Sequence, residues 1–185
     1  MAEREPILYC GTCGALVEQR EAYGRVRPVC PACGRIHFLD PKVAAAVLLE
    51  REGKILLVRR AVEPERGKWT LPAGFVEADE DPAEAARREC REETGLRVEL
   101  LRLLDVIHGK EHSSGASIVI VYEAKIRGGE IQPSDDVDAV TFFELGALPT
   151  LAFEATRVAI ERWSLRPAPG SDRPPTRPAM NPNAD

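Results

Sequence analysis

The sequence predicts an α+β fold: a unit of short strands and two helices, preceded by a small zinc ribbon built on four cysteines. Three observations carry this reading. The 185 residues, 44% hydrophobic and 30% charged, suffice for one cored domain plus a small module. Cys10, Cys13, Cys30 and Cys33 form a C-x2-C-x16-C-x2-C array with a glycine directly after each pair, while Cys90 stands apart. Between Lys42 and Leu145, apolar runs of strand length alternate with glycine, proline and polar breaks.

The ribbon occupies residues 1–39. Two C-x2-C turns can offer four thiolates at tetrahedral geometry to Zn(II), and in a reducing compartment that use outweighs a redox dithiol or paired disulfides, the two other readings. With all four positions filled by protein, such a zinc is structural. Asp40-Pro41 ends the ribbon and opens a second unit, 40–166. Lys42–Glu50 and Lys54–Arg60 read as strands joined by a tight turn at Arg51-Glu52-Gly53. Trp69–Phe75, broken by Pro72 and Gly74, reads as a bent strand or loop. Val98–Ile107, Ile118–Ile126 and Val137–Leu145 read as later strands, separated by His112–Gly115 and by Gly128-Gly129. Pro82–Thr94 and Glu154–Leu165 read as helices. Residues 167–185 are proline-rich with little to bury, and are expected to stay disordered.

Composition narrows function. A net charge of -5 and a pI of about 5.4 give no global basic field for nucleic acid or an acidic membrane. The longest apolar run, Val43–Leu49, is too short to span a bilayer, and the N-terminus lacks a basic n-region followed by an apolar stretch. The expected location is the cytoplasm. Zinc ribbons can grip nucleic acid, but Arg20, Arg25, Arg27 and Arg35 are offset by Glu18 and Glu21 and form no aromatic-basic stripe in the sequence. Nucleic acid is therefore not an expected partner. His37, His108 and His112 have no ligand spacing to one another and read as ordinary histidines.

The chemistry concentrates in the first helix. Asp81 is a good N-cap, Pro82 sits at N1, Glu84 completes a capping-box pattern and Gly95 is the stop. Glu89, Glu92 and Glu93 then fall at i, i+3 and i+4, three carboxylates on one helix face. At about 5.5 Å and an effective dielectric near 20, each neighbouring pair repels by roughly 3 kcal/mol, less where solvated. A hard divalent cation, Mg(II) or Mn(II), relieves that repulsion. The competing reading is a solvated acidic face balanced by Arg87, Arg88 and Arg91.

The surroundings decide between them. Gly74, five residues, Glu80, seven residues, then Arg88-Glu89-Cys90-Arg91-Glu92-Glu93-Thr94-Gly95-Leu96 resembles the Nudix box, G-x5-E-x7-R-E-U-x-E-E-x-G-U, where U is a bulky aliphatic. Every fixed position matches. Cys90 at the first U is a soft departure, since a thiol can act as a small buried hydrophobe. With the lead-in GKWTLPAGFVE, the resemblance covers roughly Lys42–Leu165. It implies a Nudix-type α/β/α sandwich with a mixed β-sheet, and hydrolysis of a nucleoside diphosphate linked to another moiety. It also implies Mg²⁺ or Mn²⁺ ligands at Glu89, Glu92 and Glu93, and a structural pair in Arg88 and Glu80. A box glutamate or one on a distant loop would act as base, with Glu89 the first candidate. Asp135 and Asp138 lie where related enzymes place additional acidic ligands, but as aspartates they reach less far.

A four-cysteine ribbon ahead of such a domain is similar to two groups, the NADH pyrophosphatases and a smaller ADP-ribose or FAD group. The first carries S-Q-P-W-P-F-P-x-S after the box, and this sequence has ELLRLLDVIHGKEHSSGASIV there instead. ADP-ribose is therefore the favoured substrate, with FAD the close rival. Arg59 or Arg60 could reach a diphosphate and Trp69 or Phe143 could stack on adenine, each equally compatible with ordinary surface or core. The resemblance further implies a homodimer. A ligand sensor with a nucleic-acid-binding ribbon is the non-enzyme alternative, disfavoured by the intact acidic triad.

Overall fold

The structure, a computed structural model, describes residues 6–109 and 115–166. The tail at 167–185 and His112 lie outside the described residues. In the ribbon, strands β1 (Glu18–Ala22) and β2 (Arg25–Val29) form an antiparallel hairpin between two cysteine turns. The turns match each other. The Gly14 N–H donates to the Cys10 carbonyl at 2.8 Å, and the Gly34 N–H to that of Cys30 at 3.0 Å.

The larger unit is a mixed sheet between two helices. Strand β3 (Val43–Arg51) pairs in parallel with β8 (Ile118–Gly128), from Val43 opposite Ile118 to Leu49 opposite Ala124. The remaining pairings are antiparallel: β7 (Arg97–His108) on the outer side of β8, and β6 (Ala73–Phe75) on β3. Strand β4 (Lys54–Arg60) meets β3 only beside their turn and otherwise carries β9 (Val137–Glu144) and the short β5 (Trp69–Thr70). Alternation along β3 explains why both faces are covered. Ala45, Val47 and Leu49 pack with Ala85, Ala86 and Cys90 of helix α1 (Pro82–Thr94). Ala46 and Leu48 pack with Ala155, Ala159 and Ile160 of helix α2 (Glu154–Ser164). The bent segment at 69–75 is two strands because Leu71-Pro72 carries the chain from β4 across to β3.

That crossing sets the site. It brings β6 beneath the carboxylate face of α1, while α2 closes the opposite side.

Candidate active site

Helix α1 begins where its caps dictate. The Asp81 carboxylate accepts the Ala83 N–H at 2.8 Å, and Gly95, at φ 74°, ends the helix by donating to the Arg91 carbonyl at 2.9 Å. Gly95 is required twice over, since a Cβ there would also stand 2.5 Å from the Glu130 carbonyl oxygen.

Arg88 is the hub of the helix face. Its guanidinium grips Glu80 through two bonds of 2.8 and 2.9 Å and donates to the Phe75 carbonyl at 3.1 Å. Its remaining nitrogen reaches Glu89 at 2.6 Å and Glu92 at 2.9 Å. The Arg88 pairing holds the Glu80 carboxyl below its ordinary range. One arginine thus ties the loop before α1, strand β6 and two of the three helix carboxylates together.

Glu89 and Glu93 face inward. The Glu89 carboxylate lies flat on β6, so close that a Cβ on Gly74 would sit 2.1 Å from its carboxyl carbon. Only glycine leaves room. Glu93 is 3% exposed and accepts the Ala73 N–H at 2.9 Å. Burial pushes both carboxyls up, Glu93 the further; Glu92 and Asp135 add to the push on Glu89, Asp136 and Glu89 to that on Glu93. These carboxyls are gathered where no protein cation neutralises them fully, and a hard divalent ion would stabilise their charged forms. The three helix carboxylates do not close into a compact cage: among the described residues, only the four cysteines bring three or more ligand atoms within 4.8 Å of one another. An open arrangement suits Mg(II), which keeps waters and substrate phosphate oxygens in its shell.

The loop after β8 supplies further acids. The Ser134 N–H donates to the Glu93 carbonyl at 3.3 Å, so the loop is pinned to the end of α1. Asp135 adds negative charge to the surroundings of Glu89, whereas Asp138 is paired with Arg59 at 2.6 Å. Asp136, absent from the sequence expectations, lines the cavity beside these carboxylates.

That cavity, about 400 Å³, lies on the α2 side of the sheet. Small residues hollow it out, among them Ala44, Ala46, Ala73, Gly74 and Ala155, and Phe75 and Phe153 also line it. Thr70 and Thr156, hydrogen-bonded to each other at 2.8 Å, provide buried hydroxyls in its wall. Of the four expected substrate contacts, Arg60 lines the cavity, with its guanidinium 5.2 Å from the centre of the Phe153 ring. Arg59, its neighbour on β4, pairs instead with Asp138. Trp69 and Phe143 pack edge to face, centroids 4.8 Å apart, against the α2-side core and line none of it. Only the folded cavity reveals Phe153 and Asp136, which sit in loop segments without a motif.

The ribbon holds a second constellation. Cys10 and Cys33 sulfurs stand 3.7 Å apart and those of Cys13 and Cys30 3.4 Å. A tetrahedral ZnS4 centre with bonds of 2.3 Å has edges of about 3.8 Å. The donor set and spacing therefore fit zinc, and all four cysteines are free thiols. The Thr12 amide, aimed at Cys10, brings that thiol down to about 5, and the Cys33 amide lowers Cys30. The neighbouring thiols oppose this, raising Cys13 and Cys33, so the four sulfurs share their protons as one coupled cluster.

The family model of the NUDIX domain matches residues 40–163. The chain belongs to the Nudix hydrolases. Among relatives of this Nudix chain, an ADP-ribose pyrophosphatase of Methanocaldococcus jannaschii is 39% identical over 129 residues, 68% of this chain and 76% of its own length. An NAD-capped RNA hydrolase, NudC, of Chromobacterium violaceum is 31% identical over 146 residues. That match spans 77% of this chain and only 52% of the NudC chain. The crystal structure of a NUDIX hydrolase from Nitrosomonas europaea superposes with a TM-score of 0.74 at 34% identity, covering 85% of this chain and 90% of that one. No helix among the described residues is long and apolar enough to cross a membrane.

Proposed function

We propose that this Nudix hydrolase cleaves ADP-ribose to AMP and ribose 5-phosphate, using Mg²⁺ or Mn²⁺ held by Glu89, Glu92 and Glu93. The observation that carries the proposal is the pair of inward carboxylates, Glu89 and Glu93, resting on Gly74 and Ala73 of β6, two residues that also line the cavity with Arg60 and Phe153. The 39% identity to an ADP-ribose pyrophosphatase supports the substrate. When bound, the divalent ion neutralises the diphosphate and makes the attacking water more acidic. The protein's own groups do the rest. Water adds to one phosphorus, Glu89 takes its proton, and the diphosphate bridging oxygen departs with the other product. Arg88 fixes the Glu89 carboxylate for that transfer, and Arg60 reaches the diphosphate while Phe153 offers a ring face for the base.

The test is product analysis after incubation with ADP-ribose, FAD, NADH and capped RNA in Mg²⁺. ADP-ribose should be turned over with the highest kcat/KM, and Glu93→Gln should lower kcat by roughly 10²-fold or more. A preference for NADH would overturn the substrate, and no turnover of any diphosphate would overturn the reaction.

The ribbon, in this reading, carries one structural Zn²⁺ on Cys10, Cys13, Cys30 and Cys33. The chain pairs as a homodimer. Support for pairing is the outer strand β7, which exposes Leu101, Leu103 and Val106 along its open edge. Sedimentation of wild type and Leu103→Asp checks it: a wild-type monomer, or a dimer indifferent to the substitution, removes β7 as the interface.

A further inference from the structure

The ribbon has a face that neither its zinc nor the diphosphate site uses. In the β1–β2 hairpin, Arg20 stands opposite Arg27 and Ala22 opposite Arg25. Opposed residues, and every second residue along a strand, share one face. Arg20, Arg25 and Arg27 therefore stand together. Glu18 is the carboxylate on that face, already paired with Arg20 at 2.6 Å, and Glu21 lies on the other.

Two aromatic rings complete the face. The Arg27 guanidinium lies 5.0 Å from the centre of the Phe38 ring, and the Tyr23 ring is 6.1 Å from Phe38, tilted by 33°. Arg27 also donates to the carbonyls of Ala22 and Tyr23, which fixes the turn that presents the tyrosine. Tyr23 is 79% exposed and Phe38 51%. The Arg25 side chain is exposed and makes no hydrogen bond or ion pair with a described residue. The ribbon, residues 1–39, carries five arginines and four glutamates, a surplus of one positive charge in a chain of net charge -5.

Guanidiniums and ring faces side by side select a ligand offering both negative charge and flat apolar surface. An acidic peptide would leave the two rings in water, and an apolar partner would strand Arg25. A single nucleic acid strand uses both, with bases on the rings and phosphates at the arginines. We propose that this face of the ribbon binds single-stranded RNA, stacking bases on Tyr23 and Phe38 and contacting phosphates through Arg20, Arg25 and Arg27. The choice of RNA rests on the diphosphate-hydrolase reading. An RNA whose 5′ end is joined through a diphosphate would present its scissile bond to the domain that begins at Asp40 and its strand to the ribbon before it.

The experiment titrates the zinc-loaded full-length chain into fluorescein-labelled oligouridylate and oligothymidylate, following anisotropy, with ADP-ribose hydrolysis and zinc content measured in parallel. RNA should bind more tightly than DNA. Three phosphate contacts should give a slope of about −2 for log affinity against log salt. Tyr23→Ala and Arg25→Glu should each weaken RNA binding about tenfold while zinc content and ADP-ribose turnover stay at wild-type levels. Absent binding, equal affinity for the DNA strand, or variants that bind RNA like wild type would overturn the proposal. So would variants that change sedimentation and not RNA affinity, since the face would then serve a second copy of the chain. RNA binding by an enzyme that fails to cleave ADP-ribose would retain the RNA-binding face and refute the substrate assignment alone.

Discussion

Glu93 is the residue at which structure and chemistry pull hardest against each other. Its carboxyl is pushed well above the ordinary 4.5, by burial first, with the Ala73 N–H opposing and then Asp136 and Glu89 adding to the rise. In the unfolded chain it ionises near 4.5, whereas the fold retains the proton to higher pH. Its stabilising contribution is therefore complete below about 4.5 and is lost as pH rises through the folded value. Glu93→Gln keeps an acceptor for Ala73 and cannot ionise. Without added divalent ions, the melting temperatures of wild type and Glu93→Gln should nearly coincide near pH 4.5, and the variant should lead increasingly toward pH 8. Both proteins carry the same ribbon, so its own pH response cancels. Adding Mg²⁺ at pH 8 should stabilise wild type more than the variant. A gap that ignores pH would mean that Glu93 is not the strained acid.

Gly74 makes a different test at the same scale. A methyl group there would collide with the Glu89 carboxylate at 2.1 to 2.3 Å, so Gly74→Ala must displace that side chain from β6. Hydrolysis should fall by about 10²-fold while the far-ultraviolet circular dichroism stays that of wild type. Unimpaired turnover would show that Glu89 acts from another position. The sequence pattern marks Gly74 and Glu89 through their spacing, but only the folded contact shows that one residue exists to admit the other. The same limit hid Asp136. Three aspartates within four residues look alike in sequence, and the pairing of Asp138 with Arg59 sorts them.

At the scale of elements, legibility follows how local the cause is. Helix α1 spans Pro82–Thr94 as the capping residues predict, because its ends are fixed by Asp81, Pro82 and Gly95 themselves. Strands β3, β4, β8 and β9 fall within a residue or two of their apolar runs. The division at 69–75 was not legible, since β5 and β6 differ only in which distant strand they meet. The packing of Trp69 on Phe143 was not legible for a related reason: an aromatic residue reads alike whether it stacks on a base or fills the core, and only the folded pair shows the two rings edge to face. The N-cap offers a graded check of the helix. Asp81→Ala should cost about 1 kcal/mol of unfolding free energy in urea. Below the transition, kcat should stay within about twofold of wild type, because Arg88 and Glu80 still hold the helix face independently of the cap. A large loss of kcat without a loss of stability would make the N-cap part of the site.

Across the whole molecule, two kinds of stabilisation stand side by side. The Nudix domain has apolar layers on both faces of its sheet, anchored by Val47, Leu48, Leu49, Leu56 and Leu57, none of which is solvent-exposed. The ribbon has nothing comparable: among its described residues only Cys10, Pro28 and Cys30 are buried. Two of those three belong to the four-cysteine cluster, so a zinc ion bound there would stand in for a hydrophobic core and supply folding free energy on the order of 10 kcal/mol. The two units should then respond differently when the cysteines are removed. Cys30→Ser together with Cys33→Ser should release one zinc per chain and melt the β1–β2 hairpin, seen as loss of amide protection confined to residues 6–39. ADP-ribose turnover per folded molecule should fall far less than in Glu93→Gln, because every carboxylate of the site and the cavity behind it belong to the larger domain. RNA binding should vanish with the hairpin, since the alternation that gathers Arg20, Arg25 and Arg27 exists only while β1 and β2 pair. Should the double variant lose turnover as completely as Glu93→Gln while the Nudix domain stays folded, the ribbon would have to contribute directly to catalysis.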